Sequence, residues 1–228
     1  MNDMRVLACH VLSDELLQVM PEGTRYEFLE YSLHRTPEEL KRQLSRRIQE
    51  DTSTGCLALA YGLCSNGVAG ITSPRHTIVI PNAHDCISLL LGDARRYLKE
   101  FSERPGTYYL SKGWIEHGGD PLSEYYRYEE KYGRQDALWV MEELYKNYRR
   151  LVFIDTGLPD LMPYRRHAQE AARFLKLEYE EVKGSASLLQ RLVRQDWNED
   201  FLVFRPGERI SQVAFLACQR DIEMKGRG

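Results

Sequence analysis

Short apolar runs separated by longer amphipathic stretches restrict this chain's fold more than any other feature. The runs are MRVLAC (4–9), RYEFLEY (25–31), CLALAY (56–61), HTIVIP (76–81), RLVFID (150–155), LEYEEV (177–182) and DFLVF (200–204). Several are apolar at consecutive positions, the pattern of strands covered on both faces of a parallel sheet. Between them lie helix signals. RTPEELKRQLSRRI predicts a helix with Thr36 as N-cap, Pro37 in the first turn and Glu39 closing a capping box; Leu40, Leu44 and Ile48 form its apolar stripe. Further helices are expected at 12–20, 84–102, 121–132, 134–147, 159–175 and 186–195, the last capped by Ser185. Strands alternating with helices predict a single α/β domain over 1–228, Rossmann-like, with a mostly parallel open sheet of about six strands and helices on both faces. The Tyr/Gly-rich segment 104–133 interrupts the alternation and reads as an insertion or lid.

Charge narrows the partners. The chain has 31 Lys and Arg against 34 Asp and Glu, a formal charge of −3, and its arginine pairs are scattered among carboxylates. That pattern offers no basic surface for nucleic acid. No apolar stretch approaches the roughly 18 residues of a membrane span, and the N-terminus lacks the apolar segment of a signal peptide. A cytoplasmic protein acting on a small-molecule substrate is therefore expected. Its five cysteines, an odd count without a CxxC pair, should be reduced there. Walker A, GxGxxG, HExxH and GxSxG motifs are absent, against nucleotide hydrolysis, dinucleotide binding and serine hydrolysis.

The cysteines sit where such a fold does chemistry. Cys9 ends the first run, Cys64 follows the third in YGLCSNG (61–67), and His84, Asp85 and Cys86 follow the fourth. Ligands of open α/β sheets bind outside the carboxyl ends of strands, so these thiols share one rim with His10 and His84. The glycines flanking Cys64 are expected to let its thiol swing into a shared site. Three thiolates with an open fourth position suit zinc, and three at an iron–sulfur cluster leave one iron free for substrate. The alternative is one thiol activated as a nucleophile. Cys56 and Cys218 are expected to be small core residues. Asp155 and Thr156 in FIDTGLP, Asn66 beside Cys64, and the group Tyr108, Lys112, Trp114, Glu116 and His117 in GTYYLSKGWIEHGGD lie at the same rim. Gly184 and Ser185 in VKGSASL offer an anion site at a helix start.

LACHVL, LALAYGLCSNGVAG, IVIPNAHDCISLLLG, PGTYYLSKGWIE and FIDTGLP, in this order from about residue 4 to 207, together resemble the domain of unknown function 1638 family. The resemblance implies one cytosolic, thiol-rich domain of anaerobic metabolism, often encoded near corrinoid-dependent methyltransferases. It names no reaction.

The functional expectation is a metal-dependent enzyme of methyl or one-carbon metabolism. Cys9, Cys64 and Cys86 would be the metal ligands, binding zinc or an iron–sulfur cluster. His10, Asn66, Asp85, Trp114 and Thr156 would line the cofactor, with Asp155, His84 and Glu116 as catalytic acids or bases. Two other outcomes stay open: an accessory protein holding a corrinoid, a metal or a methylated amine for a methyltransferase partner, and a metal-free thiol enzyme. The corrinoid motif DxHxxG is absent, HDCISLLLG having the reverse order.

Overall fold

The structure, a computed structural model, describes residues 4–31, 33, 36–117 and 119–215. Its strands are β1 (Met4–Cys9), β2 (Arg25–Leu29), β3 (Gly55–Ala60), β4 (His76–Pro81), β5 (Thr107–Leu110), β6 (Arg150–Asp155), β7 (Glu178–Lys183) and β8 (Phe201–Phe204). Its helices are α1 (Ser13–Val19), α2 (Pro37–Glu50), α3 (Cys86–Leu91), α4 (Ala94–Glu103), α5 (Lys112–Glu116), α6 (Pro121–Tyr132), α7 (Arg134–Tyr145), α8 (Met162–Phe174) and α9 (Ser187–Arg194), with a 3-10 turn at His10–Leu12.

The α/β class holds, but the single six-stranded sheet does not. Five strands form a mixed sheet in the order β2-β1-β3-β4-β8, and β5-β6-β7 form a second, parallel one. β8 returns antiparallel along β4, with Ile78 opposite Phe204 and Pro81 opposite Phe201. It thereby takes the edge that a further parallel strand would need. β5 pairs instead with β6, Thr107 against Arg150 through Leu110 against Phe153. The segment 104–133 therefore supplies framework: β5 is a strand of the second sheet, and α5 and α6 follow it.

One apolar core joins the sheets. Val152 and Ile154 of β6 pack with the core of the five-stranded sheet, while Leu151 and Phe153 face a second cluster with Leu158, Ala168 and Ala171. Every residue of β6 is buried, because alternate side chains point to opposite covered faces.

The helices depart from expectation where local chemistry differs. The stretch 84–102 breaks into α3 and α4, because Gly92 at φ 75° ends α3 in a left-handed cap and Asp93 starts α4 by accepting from the Arg95 amide. Thr36 occupies the N-cap of α2 without a side-chain cap bond, and Glu39 binds Arg42 and Gln43 instead of closing a box. Ala186, not Ser185, is the N-cap of α9; the Ser185 hydroxyl accepts from the Ser187 amide in the turn before it. Gly184 in that turn packs against the Leu90 carbonyl, so its small size serves close packing. Among the described residues no helix is long and apolar enough to cross a membrane.

Candidate functional site

β1, β2, β3 and β4 run parallel, so their carboxyl ends share a rim. The chain leaves β1 toward β2 on one side, then crosses to place β3 on the other. That reversal between β1 and β3 is a topological switch point, where diverging loops open a crevice. Cys9 is the last residue of β1, Cys64 lies just beyond β3, and Cys86 opens α3 beyond β4.

The three thiols open onto one cavity. Cys9, Cys64 and Cys86 line one cavity together with Glu30, Tyr31, Leu40, Ala60 and Tyr61. Each of the four parallel strands thus contributes at its end. The centre of a water-sized sphere has about 20 Å³ in which to move there, room for one water or one ion. The lining carries one carboxylate, Glu30, and no lysine or arginine among the described residues. The Tyr61 hydroxyl is buried and has no hydrogen-bond partner among the described residues. An orphaned buried hydroxyl is costly unless something else fills its need.

Burial holds these thiols in the neutral form. It pushes Cys9 up to about 11, against the opposing pull of the Val11 and His10 amides. Cys64 is raised by burial and by the nearby Cys9 and Asp85 charges. Cys86 is raised by burial, Asp85, Cys9 and Cys64, while the neighbouring Trp114 works the other way. Among the described residues no group of three or more His, Cys, Asp or Glu side chains is placed so that it could hold a metal ion. Cys56 is a buried residue at the start of β3, its thiol pushed up to about 12 by desolvation, as expected of a core cysteine. Cys218 lies outside the described residues.

The turn that carries Cys64 is rigid, which corrects the expected swing between glycines. A Cβ on Gly62 would sit 2.5 Å from the Asp85 nitrogen and 2.7 Å from its Cα. Glycine therefore lets this segment press against the β4–α3 loop. Hydrogen bonds from Leu63 N to Ala83 O at 2.9 Å and from Cys64 N to His84 O at 3.0 Å lock the two loops together. Cys64, Ser65 and Asn66 then all adopt positive φ, at 47°, 54° and 70°. Each such residue costs about 1–2 kcal/mol for a side chain with a Cβ, a strain that surrounding structure must hold. Asn66 itself is exposed and does not line the cavity.

α5 covers the site from the second sheet. Gly113 packs so closely on the Val11 carbonyl that a Cβ would overlap it. Lys112 Nζ binds Asp14 at 2.5 Å, and the His117 ring stacks on His10 with centroids 3.8 Å apart. Burial and the neighbouring His10 hold His117 below its ordinary value. Trp114 lies near Cys86 and meets the Tyr31 ring edge-on at 4.9 Å. Glu116 is exposed, accepts from the Tyr164 hydroxyl and lies 3.7 Å from Lys112.

The remaining predicted residues have identifiable partners. Asp85 caps α3 by accepting from the Ile87 and Ser88 amides and lies 3.2 Å from the exposed His84 ring. Asp155 binds Lys183 at 2.5 Å, Arg165 at 2.8 Å and the Gly157 amide. The Lys183 bond leads in holding its carboxyl below the usual range. Thr156 donates to Glu15 at 2.7 Å. Glu15 was missed by the sequence reading, although it is 1% exposed, its other oxygen lacks a partner among the described residues and burial raises its pKa. Tyr61 and Glu30 were also missed; their positions one residue past β3 and β2 were the available signal.

No curated protein and no solved structure matches the chain. A family model described as a protein of unknown function, DUF1638, matches residues 28–193. The matched span includes Cys64, Cys86 and α5, and Cys9 lies outside it. The chain belongs to the DUF1638 family.

Proposed function

We propose that the protein is a zinc-dependent enzyme whose ion is held by Cys9, Cys64 and Cys86, with a fourth position open to substrate. One observation carries this reading: three thiols, and a tyrosine hydroxyl with no partner among the described residues, line a cavity with room for a single ion. Three neighbouring thiols in a largely apolar cavity can ionise together only if a cation compensates them, and no protein cation lines the cavity among the described residues. The raised thiol pKa values count against a metal-free nucleophile, which needs a thiolate near neutral pH. The volume favours one ion over a four-iron cluster, and likewise weighs against a corrinoid or a methylated amine as occupant. A bound zinc ion would supply Lewis acidity, lowering the pKa of whatever occupies the fourth position.

The chain's own residues then have distinct tasks. The locked 62–67 turn fixes Cys64, and the 10–12 turn aims amides at Cys9. Trp114 lies beside Cys86 and excludes water from it. His84, exposed and paired with Asp85, exchanges protons with solvent. Asp155 is framework in this reading, committed to Lys183 and Arg165. The setting implied by the family resemblance is anaerobic methyl or one-carbon metabolism, beside a corrinoid methyltransferase system.

The test is zinc content after anaerobic purification and reconstitution. Wild type and Cys56→Ala should each bind about one zinc per chain, and Cys64→Ala should bind far less. Zinc-free wild type, or equal loss in Cys56→Ala, overturns the proposal.

A further inference from the structure

We propose that β2, the outer strand of the five-stranded sheet, pairs antiparallel with β2 of a second copy of this chain, across a two-fold axis at Tyr26. This surface is independent of the zinc reading. In its sheet β2 has one neighbour, β1. Beyond that ladder, no backbone hydrogen bond joins Arg25–Leu29 to another described residue. Its outward donors and acceptors are therefore a template for one more strand.

The other outer strands of the two sheets are guarded. β5 and β8 are four residues long, and short edges pair poorly. β7 carries Glu178, Glu180 and Glu181, a row of like charges that repels a copy of itself. β2, with the sequence RYEFL, has no proline, glycine or lysine to blunt it. Tyr26 stands 49% exposed there, its ring 5.2 Å from that of Phe28.

Charge selects the occupant and the register. In a two-fold pair the strands run antiparallel and one residue faces itself on the axis. Centring on Arg25 sets two guanidinium groups opposite each other, and centring on Glu27 sets two carboxylates opposite, both unfavourable. Centring on Phe28 sets Glu27 against the apolar Leu29. With Tyr26 on the axis, Arg25 of each copy lies opposite Glu27 of the other, both on one face of the sheet. Two ion pairs then flank a tyrosine pair. Within its own chain Arg25 lies 3.9 Å from Asp51 and donates to Ser53, while Glu27 binds Arg5 and Arg47. Their side chains keep 46% and 36% of their surface exposed, so the pairs across the axis extend this network. The next residues along the chain, Glu30 and Tyr31, line the thiol cavity, so the shared strand adjoins the candidate site.

The experiment is sedimentation of the full chain over a dilution series. Wild type should associate to a dimer, and Arg25→Glu, which sets two carboxylates opposite each other at both pairs, should weaken that dimer about tenfold. Glu27→Arg should do the same. An equimolar mixture of Arg25→Glu and Glu27→Arg should regain the dimer, because both cross-strand pairs are then Glu against Arg. A monomeric wild type overturns the proposal, whether the edge is idle or serves another protein. Arg25→Glu associating as wild type does, or no recovery in the mixture of folded variants, also overturns it. If Glu27→Arg does not fold, oxidative cross-linking decides. Residues facing each other on the axis have Cα atoms about 4.5–5.5 Å apart, within disulfide reach. Tyr26→Cys should therefore form a covalent dimer, whereas Arg25→Cys, about 7–8 Å from its own copy, should form far less. Equal or reversed yields overturn the register and the proposal with it.

Discussion

Gly62→Ala separates two reasons for a glycine beside Cys64, because they predict opposite signs. Gly62 lacks a positive φ, so alanine can adopt its backbone conformation. If glycine served only flexibility, alanine would restrict the unfolded chain and stabilise the protein by about 0.4–1 kcal/mol. The structure predicts the reverse. The new Cβ would lie 2.5 Å from the Asp85 nitrogen and 2.7 Å from both Asp85 Cα and the His84 carbonyl carbon. These are backbone atoms that no rotamer change can move, and ordinary contacts lie near 3.5–4.0 Å. The loops must part by roughly 1 Å, which costs about 1–3 kcal/mol as overpacking. The Leu63–Ala83 and Cys64–His84 hydrogen bonds stretch with them, each worth about 0.5–1.5 kcal/mol. After the entropic offset, a net destabilisation of about 2–3 kcal/mol remains, or about 5–10 °C in Tm for a chain of this size. Urea unfolding of the apo protein, followed by fluorescence, measures it. Gly67→Ala is the internal comparison: its closest contact is the Leu40 Cδ2 at 2.8 Å, a side-chain atom that can yield, so the loss should be smaller. Gly62→Ala should also weaken zinc binding, since Cys64 moves away from Cys86. A Gly62→Ala protein as stable as wild type, or more so, refutes the close-packing argument.

Asp155→Asn should destabilise the fold by about 1–3 kcal/mol by urea titration while leaving zinc content unchanged, because its oxygens serve Lys183, Arg165 and Gly157. His167 gives a pH signature. Its bond to Asp120 at 2.7 Å raises its pKa, so the stabilisation is full below the ordinary histidine value of about 6.5 and is lost as pH rises through the raised value. Burial pushes Asp120 up, but its bonds to His167 and Ser123 outweigh this and hold it down, so its share is lost only in acid. His167→Gln should flatten wild type's decline in Tm between pH 6 and pH 8. Burial raises the pKa of Glu15, so wild type is penalised as pH rises through that value; Glu15→Gln should leave Tm near pH 4 unchanged and raise it at pH 8.

Local patterning carried most of the elements. The strands at 4–9, 76–81 and 150–155 and the helix at 121–132 are legible to the residue, because continuous apolar runs and a capped, periodic helix are properties of neighbouring residues. β5 was not legible: TYYL spans four residues, too few to show a period, and it is a strand only because β6 lies beside it. Nor was the division into two sheets, since which strand claims the edge of β4 depends on β8, far along the chain. At the site, the sequence placed each cysteine at a strand end, and strand order then decided that those ends meet. Tyr61 reads locally as the end of an apolar run. Only the enclosing loops make its hydroxyl an unpartnered group among three thiols, because burial and the absence of a partner belong to the whole fold and not to any stretch of chain.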